Sequence, residues 1–176
     1  LYSLAIAFEY LHVATLLHDD VIDNGEYRRG KPTVHRKYGM VPAILAGDFL
    51  HSRSMELMAS HGSDELLDIF CEATRGMVDG EFVQLRNVSN YNQSVDQYFN
   101  GIIGKTALLI GAATEIGCCY GGGNNIDRDA FRQYGINLGC AYQIIDDLLD
   151  YQGDKKKTGK SVGNDLAEGK ITLPLI

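Results

Sequence analysis

The sequence predicts an all-α protein, built as a large antiparallel helix bundle, and its apolar pattern supplies the reasons. No segment alternates apolar and polar residues over a useful length, so the usual signal for a β-strand is absent. Apolar residues recur instead at the three- and four-residue spacing of helices. The first 22 residues are apolar nearly all round, which is typical of a helix buried inside a large bundle.

Turn and capping residues divide the rest of the chain into further helices. Helical spacing predicts a second helix over residues 43–60, and Ser63 or Asp64 caps a third that runs to about residue 85. Ser94 and Gln97 form a capping-box pattern that opens a fourth helix. The remaining predicted elements are a helix over residues 127–151 and loops over residues 24–38, 88–93 and 121–125.

Two glycines lie inside the predicted fourth helix. Gly101 and Gly104 each cost a regular helix about 1 kcal/mol relative to alanine. They stand just before Lys105 and Thr106, so a kink that frees backbone carbonyls at this point is compatible with the sequence.

Length and composition favour one domain, residues 1–176, that looks cut from the middle of a larger one. The net charge of −7 argues against a nucleic-acid surface. The apolar start is interrupted by Glu9 and His12 and lacks the features of a signal peptide, so we expect a cytoplasmic protein without a transmembrane segment. The cysteine spacings predict reduced thiols on helices, at Cys71, Cys118, Cys119 and Cys140.

Two copies of one acidic signature carry the chemistry of the chain. Residues three and four apart share a helix face, so the three aspartates of each copy project together. Clustered carboxylates repel one another, and a divalent cation is the usual compensation. Hard oxygen ligands suit Mg²⁺, which also binds substrate phosphates. Facing each other across a central acidic cavity, the two copies would hold a diphosphate through bridging metals; they consist of Asp19, Asp20 and Asp23, and of Asp146, Asp147 and Asp150.

A glycine- and lysine-rich segment over residues 153–169 follows the second copy. Two interpretations stay open for this segment. It is either a solvated linker or a basic lid over a polyanionic ligand.

Taken together, these residues resemble the trans-type polyprenyl diphosphate synthases, which include farnesyl, geranylgeranyl and longer-chain synthases. The resemblance covers essentially the whole chain and implies the isoprenoid synthase type of helix bundle. It rests on these segments in this order: Leu17-His-Asp-Asp-Val-Ile-Asp23, Arg28-Arg29-Gly30, Gly47-Asp48-Phe49-Leu50, Gly104-Lys105-Thr106, Tyr142-Gln-Ile-Ile-Asp-Asp-Leu-Leu-Asp150, Thr158-Gly-Lys160 and Gly169-Lys170.

The resemblance implies a prenyltransferase that condenses isopentenyl diphosphate with an allylic diphosphate, using about three Mg²⁺ ions per active site held by carboxylates and phosphates. Asp19, Asp23 and Asp146 would ligate metal directly. Asp20, Asp147 and Asp150 would be partial ligands or would support the ligands. It also implies a homodimer, with transient membrane contact for product release.

The resemblance also assigns the substrate-binding residues. Arg28, Lys105 and Lys160 would bind the allylic diphosphate, and Lys170 would contact it as a leaving group. His12 and Arg29 would help to bind isopentenyl diphosphate. Facing the allylic cation would be Thr106, Gln143 and the carbonyl of Lys105. The family's Gly-Gly-Lys-x-x-Arg-Pro segment is not among these 176 residues, and a chain lacking it altogether is not expected to condense the two substrates.

Product length is predicted from the first helix, along which the growing chain passes one turn about every 5.4 Å. In short-chain members, bulky aromatic residues stand one turn before the first aspartate. Ala14 and Thr15 occupy those positions here, and Leu11 and then Phe8 are the first large residues beyond them. We therefore predict a product longer than farnesyl, which Thr15→Tyr or Ala14→Phe would shorten.

Three alternatives compete with this interpretation. A class I terpene cyclase shares the fold but has a mixed Asn/Ser/Glu motif in place of the intact second copy. A metal phosphohydrolase centred on His18 and Asp19 would leave Asp20 and Asp23 unexplained. A non-catalytic subunit of a heteromeric synthase would be expected to have eroded acidic motifs, and both copies are complete.

Overall fold

A computed structural model describes residues 1–152 and 163–176 of the chain, and these residues form two compact units, Leu1–Leu67 and Asp68–Ile176. The first unit contains α1 (Tyr2–Ile22), β1 (Tyr27–Arg28), β2 (Lys31–Pro32), α2 (Val34–Tyr38) and α3 (Met40–His61). The second unit contains most of α4 (Asp64–Asn87), then α5 (Val95–Ile102), a π-helical turn (Ile103–Ala107), α6 (Leu108–Tyr120), α7 (Asn125–Gln152), α8 (Asn164–Ala167) and a 3₁₀ turn (Leu173–Leu175).

The prediction of an all-α fold is confirmed, with a small exception in the loop predicted over residues 24–38. Two two-residue strands pair there, with Tyr27 opposite Pro32 and Arg28 opposite Lys31. Arg29 and Gly30 both have positive φ, at 50° and 75°, as a two-residue hairpin turn requires. Strands this short leave no alternation to detect, so the sequence pattern missed them.

The capping box is confirmed as well. The Ser94 side chain accepts a hydrogen bond from the Gln97 backbone N–H, and the Gln97 side chain accepts one from the Ser94 backbone N–H. The irregularity expected near Gly104 takes the form of a π-helical turn rather than a simple kink. π-helical turns inside α-helices are frequent at functional sites.

In the first unit, α1 packs on α3. The buried residues of α1 recur every three or four positions, at Leu4, Ala7, Leu11 and Ala14. The helices approach closely at Gly47 of α3, where an added Cβ atom would lie 2.6 Å from Cδ2 of His18. Gly47 therefore leaves the space that the His18 imidazole occupies.

In the second unit, small residues bring the helices into close contact. Gly111 of α6 lies against Gly135 of α7, and Ala107 lies against Gly139. Gly80 of α4 lies directly against the backbone of Gly104. A Cβ atom added to Gly80 would lie only 2.7 Å from the carbonyl carbon of Gly104. These contacts fix the π-helical turn between α4 and α7.

We expect Gly80→Ala to destabilise the protein by about 1–3 kcal/mol, since its methyl group would overlap backbone that cannot rotate away. Gly101→Ala is the matched control. A Cβ atom there meets only Val83 Cγ1 at 3.9 Å, so it should be neutral or stabilise α5 by up to about 1 kcal/mol. Urea unfolding of both variants measures the two effects, and equal unfolding midpoints would contradict the close packing.

Residues Val95–Tyr120 form a helical run long and apolar enough to cross a membrane, with a mean hydropathy of 1.4. The expectation of no transmembrane segment rested on the apolar start of the chain and not on this run. Core helices of water-soluble proteins meet the same criterion. In the second unit this run contributes buried residues, among them Tyr98, Ile102, Ala112 and Ile116, and its α6 part packs on α7.

The four cysteines are free thiols on helices, as predicted, and each is half-buried. Burial raises the pKa of the Cys140 thiol.

Candidate active site

The first acidic motif ends α1, and its adjacent aspartates have different surroundings. The side chain of Asp20 is buried and accepts hydrogen bonds from Nε and Nη2 of Arg28, both at 2.8 Å. Asp19 is half-buried and Asp23 is exposed. Asp20 is therefore the least exposed carboxylate of this motif and is paired with Arg28, and Asp19 and Asp23 are more exposed.

A single face of α1 joins the accessible carboxylates to other predicted site residues. Asp23, Asp19, Thr15, His12 and Phe8 follow one another at steps of three or four residues, which places them in one row along the helix. The face is less buried than its neighbour, since Thr15 and Phe8 are half-buried and His12 is exposed. Thr15 Oγ1 donates a hydrogen bond to the carbonyl oxygen of His12 at 2.8 Å.

Two of the four predicted chain-length residues lie on the neighbouring, buried face. Ala14 is 1% exposed and Leu11 is 2% exposed. They belong to the row that includes Leu4 and Ala7 and pack in the core of the first unit, whereas Thr15 and Phe8 are half-buried. The role of all four residues in setting product length stays a prediction.

His18, directly before the motif, is fixed by α3. Its Nε2 lies 3.2 Å from the Ile44 carbonyl oxygen and 3.3 Å from Oδ1 of Asp48. Gly47 supplies the space for the ring. These contacts give the Gly47-Asp48 pair a local role, because they orient the end of α1.

The basic hairpin that follows the motif holds the two predicted arginines. Arg28 is engaged by Asp20, as described above, and Arg29 is exposed at the turn. Thr33 fastens the hairpin to the end of α1, since its hydroxyl donates to the Gly25 carbonyl oxygen at 2.7 Å. The positions of Arg28 and Arg29 are thus coupled to the first motif.

The second motif lies near the end of α7 and also divides by environment. Asp146 is exposed, whereas Asp147 is 4% exposed. Asp147 accepts hydrogen bonds from the Tyr98 hydroxyl at 2.6 Å and from Nε2 of Gln143 at 2.8 Å. Burial raises the pKa of the Asp147 carboxyl, and the two hydrogen bonds partly offset the effect.

A hydrogen-bonded series connects this carboxylate to the π-helical turn. Because Nε2 of Gln143 donates to Asp147, its Oε1 faces Thr106 and accepts from the Thr106 hydroxyl at 3.2 Å. Burial, followed by the hydrogen bond to Asp147, raises the pKa of the Tyr98 phenol, which stays a donor. The sequence predicted Thr106 and Gln143 but missed Tyr98, which is 49 residues from Asp147 along the chain.

Lys105 lies in the same turn and is held from α4. Its Nζ forms an ion pair with Oε2 of Glu81 at 2.6 Å and donates to Oε1 of Gln84 at 2.7 Å. Both partners come from the Gly80-Glu-Phe-Val-Gln84 segment of α4. An ammonium group has three donors, and the described residues engage two of them, so a third N–H is left for a ligand oxygen within this part of the chain.

The segment that follows α7 is described from residue 163 onward. Oδ1 of Asp150 accepts from the Asn164 backbone N–H at 3.2 Å, and Oδ2 accepts from that of Asp165 at 3.1 Å. Lys170 pairs with Glu168 at 2.8 Å. The predicted site residue Lys160 lies outside the described residues.

Asp165, which is not among the predicted site residues, is a further carboxyl near the second motif. Its pKa is raised to about 7, first by burial and then by the charges of Asp150 and Asp147. Lys170 opposes this shift. The end of α7 and segment 163–170 thus form an acidic cluster containing one lysine.

Over residues 1–152 and 163–176, no three His, Cys, Asp or Glu side chains are grouped closely enough to hold a metal by themselves. Mg²⁺ is usually held by one or two carboxylates together with water and substrate phosphates, so it does not need such a cage. The accessible oxygen donors Asp19, Asp23 and Asp146 fit that pattern.

These features define a class of protein, an all-α protein with two aspartate motifs that each combine accessible and anchored carboxylates. Comparison with known proteins identifies the family. The family model described as Polyprenyl synthetase matches residues 1–176, and the chain belongs to this family.

Individual relatives agree with that assignment. The chain is 41% identical over 174 residues to an octaprenyl diphosphate synthase of Escherichia coli (strain K12), covering 99% of this chain and 54% of the relative. It is 39% identical over 176 residues to a short chain isoprenyl diphosphate synthase of Methanocaldococcus jannaschii, covering 98% and 54%. The chain spans about half the length of these curated relatives.

A solved structure shows the same fold. It is a polyprenyl synthase from Caulobacter crescentus CB15 complexed with calcium and isoprenyl diphosphate. The TM-score is 0.93 at 44% sequence identity, covering 98% of this chain and 52% of the other. The family assignment predicted from the sequence is therefore confirmed.

Proposed function

We propose that the protein is a Mg²⁺-dependent prenyltransferase that condenses isopentenyl diphosphate with an allylic diphosphate into an all-trans polyprenyl diphosphate longer than farnesyl. The observation that carries the proposal is the paired acidic motif within this family, in which each copy has an anchored aspartate and an accessible one. A divalent metal and a diphosphate are the ligands that such carboxylates and neighbouring lysines suit.

Asp19, Asp23 and Asp146 would hold the Mg²⁺ ions, since they are the accessible carboxylates of the two motifs. Asp20 and Asp147 would orient these ligands from their anchored positions on Arg28 and on Tyr98 with Gln143. When bound, the ions neutralise charge that develops on the diphosphate oxygens. A similar protein, the polyprenyl synthase from Caulobacter crescentus CB15, was solved in complex with calcium and isoprenyl diphosphate, which supports a site for a divalent metal and a diphosphate.

Cationic side chains would bind the two diphosphates. Lys105 is already oriented by Glu81 and Gln84 and has one N–H left for a phosphate oxygen. Arg28, Lys160 and Lys170 would bind the allylic diphosphate with it. His12 and Arg29, both exposed in the first unit, would help to bind isopentenyl diphosphate.

The π-helical turn would stabilise the allylic cation. Thr106 and Gln143 turn oxygen atoms toward each other, and the Tyr98–Asp147 pair fixes the Gln143 amide. With the Lys105 carbonyl, these dipoles offer negative partial charge to a carbocation without supplying a nucleophile. Surrounding apolar side chains would exclude water, which would otherwise quench the cation.

The proposed reaction proceeds without a covalent enzyme intermediate. The allylic C–O bond breaks, and pyrophosphate leaves with the electron pair. The double bond of isopentenyl diphosphate attacks the allylic carbon and forms a new C–C bond. The resulting cation loses a proton to the released pyrophosphate, which restores a double bond one isoprene unit further along.

We extend the proposal to assembly and location. The expected state is a homodimer in the cytoplasm, with transient membrane contact when the lipid product leaves. Size-exclusion chromatography with light scattering tests the dimer, and fractionation of the source cells tests the location.

The runner-up activities are a class I terpene cyclase and a non-catalytic subunit. The cyclase would release pyrophosphate from an allylic diphosphate without using isopentenyl diphosphate. The subunit would be inactive alone and active with a partner chain. The intact second motif favours the prenyltransferase over both.

A labelling assay on the full-length protein tests the proposal. Radiolabelled isopentenyl diphosphate is supplied with farnesyl or geranyl diphosphate, with and without Mg²⁺, and the dephosphorylated products are chromatographed. The proposal predicts Mg²⁺-dependent labelled products longer than farnesyl. Absence of label in any product with either primer would contradict it.

We expect Tyr98→Phe to lower kcat by about 10- to 100-fold, the loss typical of a group that orients a metal site or its ligands. The change removes only the hydroxyl that donates to Asp147, so Gln143 and Asp147 lose their fixed orientation. Tyr134→Phe, at an exposed position of α7, is the matched control. Steady-state kinetics distinguish the two variants, and equal kcat values would refute the role of Tyr98.

A further inference from the structure

We infer that Asp150 is a positioning residue whose main role is to fasten segment 163–170 to the end of α7. The functional role of this segment rests on the proposed function, because Lys170 is one of the residues proposed to bind the diphosphate. The contacts of Asp150 do not depend on that function. They distinguish it from Asp146, one turn earlier on the same helix, which is exposed.

Three backbone N–H groups of the segment bind Asp150. Its two carboxylate oxygens accept from Asn164 at 3.2 Å and from Asp165 at 3.1 Å. Its backbone carbonyl oxygen accepts from Gly163 at 2.8 Å. Gly163 has a φ of 83°, a left-handed conformation that glycine adopts without strain and that turns the chain into α8.

These hydrogen bonds occupy one acceptor site on each carboxylate oxygen of Asp150. They attach segment 163–170 to the end of α7 without using up the carboxylate. A carboxylate that accepts two backbone N–H groups is a charge-assisted cap. Asp146 makes no such hydrogen bond to segment 163–170 among the contacts of the described residues.

A backbone hydrogen bond within the segment connects Lys170 to the residues that Asp150 holds. The Lys170 backbone N–H donates to the Asp165 carbonyl oxygen at 2.8 Å, so the two residues close one loop. At the other end, the Ser89 backbone N–H donates to the Gly169 carbonyl oxygen at 2.8 Å. Lys170 is therefore located by two attachments, one on Asp150 and one on the end of α4.

Opposite conservative replacements separate the two roles. Asp150→Asn keeps a cap oxygen but loses the charge, and Asp150→Glu keeps the charge but moves it along a longer side chain. A positioning role predicts that the alanine and glutamate variants lose both backbone hydrogen bonds. The asparagine variant has one acceptor oxygen and keeps one of the two bonds, so its amide exchange is intermediate. A metal-ligand role predicts that the asparagine and alanine variants both lose Mg²⁺ affinity. Asp146→Asn is the comparison variant within the same motif.

Two measurements on the full-length protein apply this logic. Hydrogen exchange of the residue 164–166 amides is measured without metal or substrate, so it needs no enzymatic activity and stays informative if the proposed function fails. Mg²⁺ affinity is measured by calorimetry with inorganic pyrophosphate present. We expect about 5-fold faster exchange in the alanine and glutamate variants, the loss typical of a removed cap. Their KM for the allylic diphosphate should rise while Mg²⁺ affinity stays native.

The comparison variant should show the converse, with native exchange and weakened Mg²⁺ binding. Native exchange in Asp150→Ala would overturn the inference. So would an Asp150→Asn variant that loses Mg²⁺ affinity as much as Asp146→Asn does.

Discussion

Asp19→Ala is expected to lower kcat about 100-fold or more, because it removes a carboxylate proposed to bind Mg²⁺ and with it several kcal/mol of charge stabilisation in the transition state. Asp19 shares a helix face with Asp23, and the pair supplies the first motif's accessible oxygen donors. The thermal unfolding temperature should change little. Steady-state kinetics and a Mg²⁺ titration measure the loss.

Two further variants of α1 give this prediction its controls. Glu9→Gln removes an exposed carboxylate from the same helix and should leave kcat unchanged. Asp20→Ala should also cost about 1–3 kcal/mol of stability, because it leaves Arg28 without its charged hydrogen-bond partner. A fully active Asp19→Ala enzyme would contradict the metal assignment.

Thr15→Tyr is expected to shorten the product to about farnesyl or geranylgeranyl length. Thr15 lies one helical turn, about 5.4 Å, before Asp19 on the same face, so an aromatic ring there would block the path of the growing chain. We predict that Phe8, two turns further, forms the floor of the native pocket. Chromatography of the dephosphorylated products measures the change.

Two comparison variants distinguish a blocked path from a disturbed helix. Thr15→Val removes the hydroxyl bound to the His12 carbonyl without adding bulk, and its products should keep the native length. Ala14→Phe, also predicted to shorten the product, should in addition destabilise the protein by about 1–3 kcal/mol, because Ala14 is 1% exposed in the core. Native-length products from Thr15→Tyr would refute the assignment of this face.

Local signals were sufficient for the long helices and for the acidic motifs, whereas the short helices α2 and α8 lie in segments that were not predicted to be helical. The capping box at Ser94 and Gln97 acts within one turn, and the spacing of Asp19 and Asp23 fixes their common face in any helix. Helix burial was harder to predict from α1 alone. The helix is apolar nearly all round, so only its packing on α3 separates the buried Ala14 row from the Thr15 row.

Contacts between distant residues explain what the sequence could not supply. Tyr98 meets Asp147 across 49 residues, and Glu81 meets Lys105 through two helices pressed together at Gly80 and Gly104. No local pattern marks such partners.

The same limit applies to Asp150, the third aspartate of the second motif. Its side chain binds the backbone N–H groups of a segment 14 and 15 residues further along the chain. Its spacing alone made it look equivalent to Asp23, which is exposed. Identical spacing in the two motifs therefore does not give identical roles.

The most direct test of the proposed chemistry is the ratio of pyrophosphate released to isopentenyl units incorporated, measured on the full-length protein with farnesyl diphosphate as primer. Prenyl condensation predicts a ratio of one with Mg²⁺ and no turnover of either kind after chelation. Pyrophosphate release without incorporation, or incorporation that survives chelation, would contradict it.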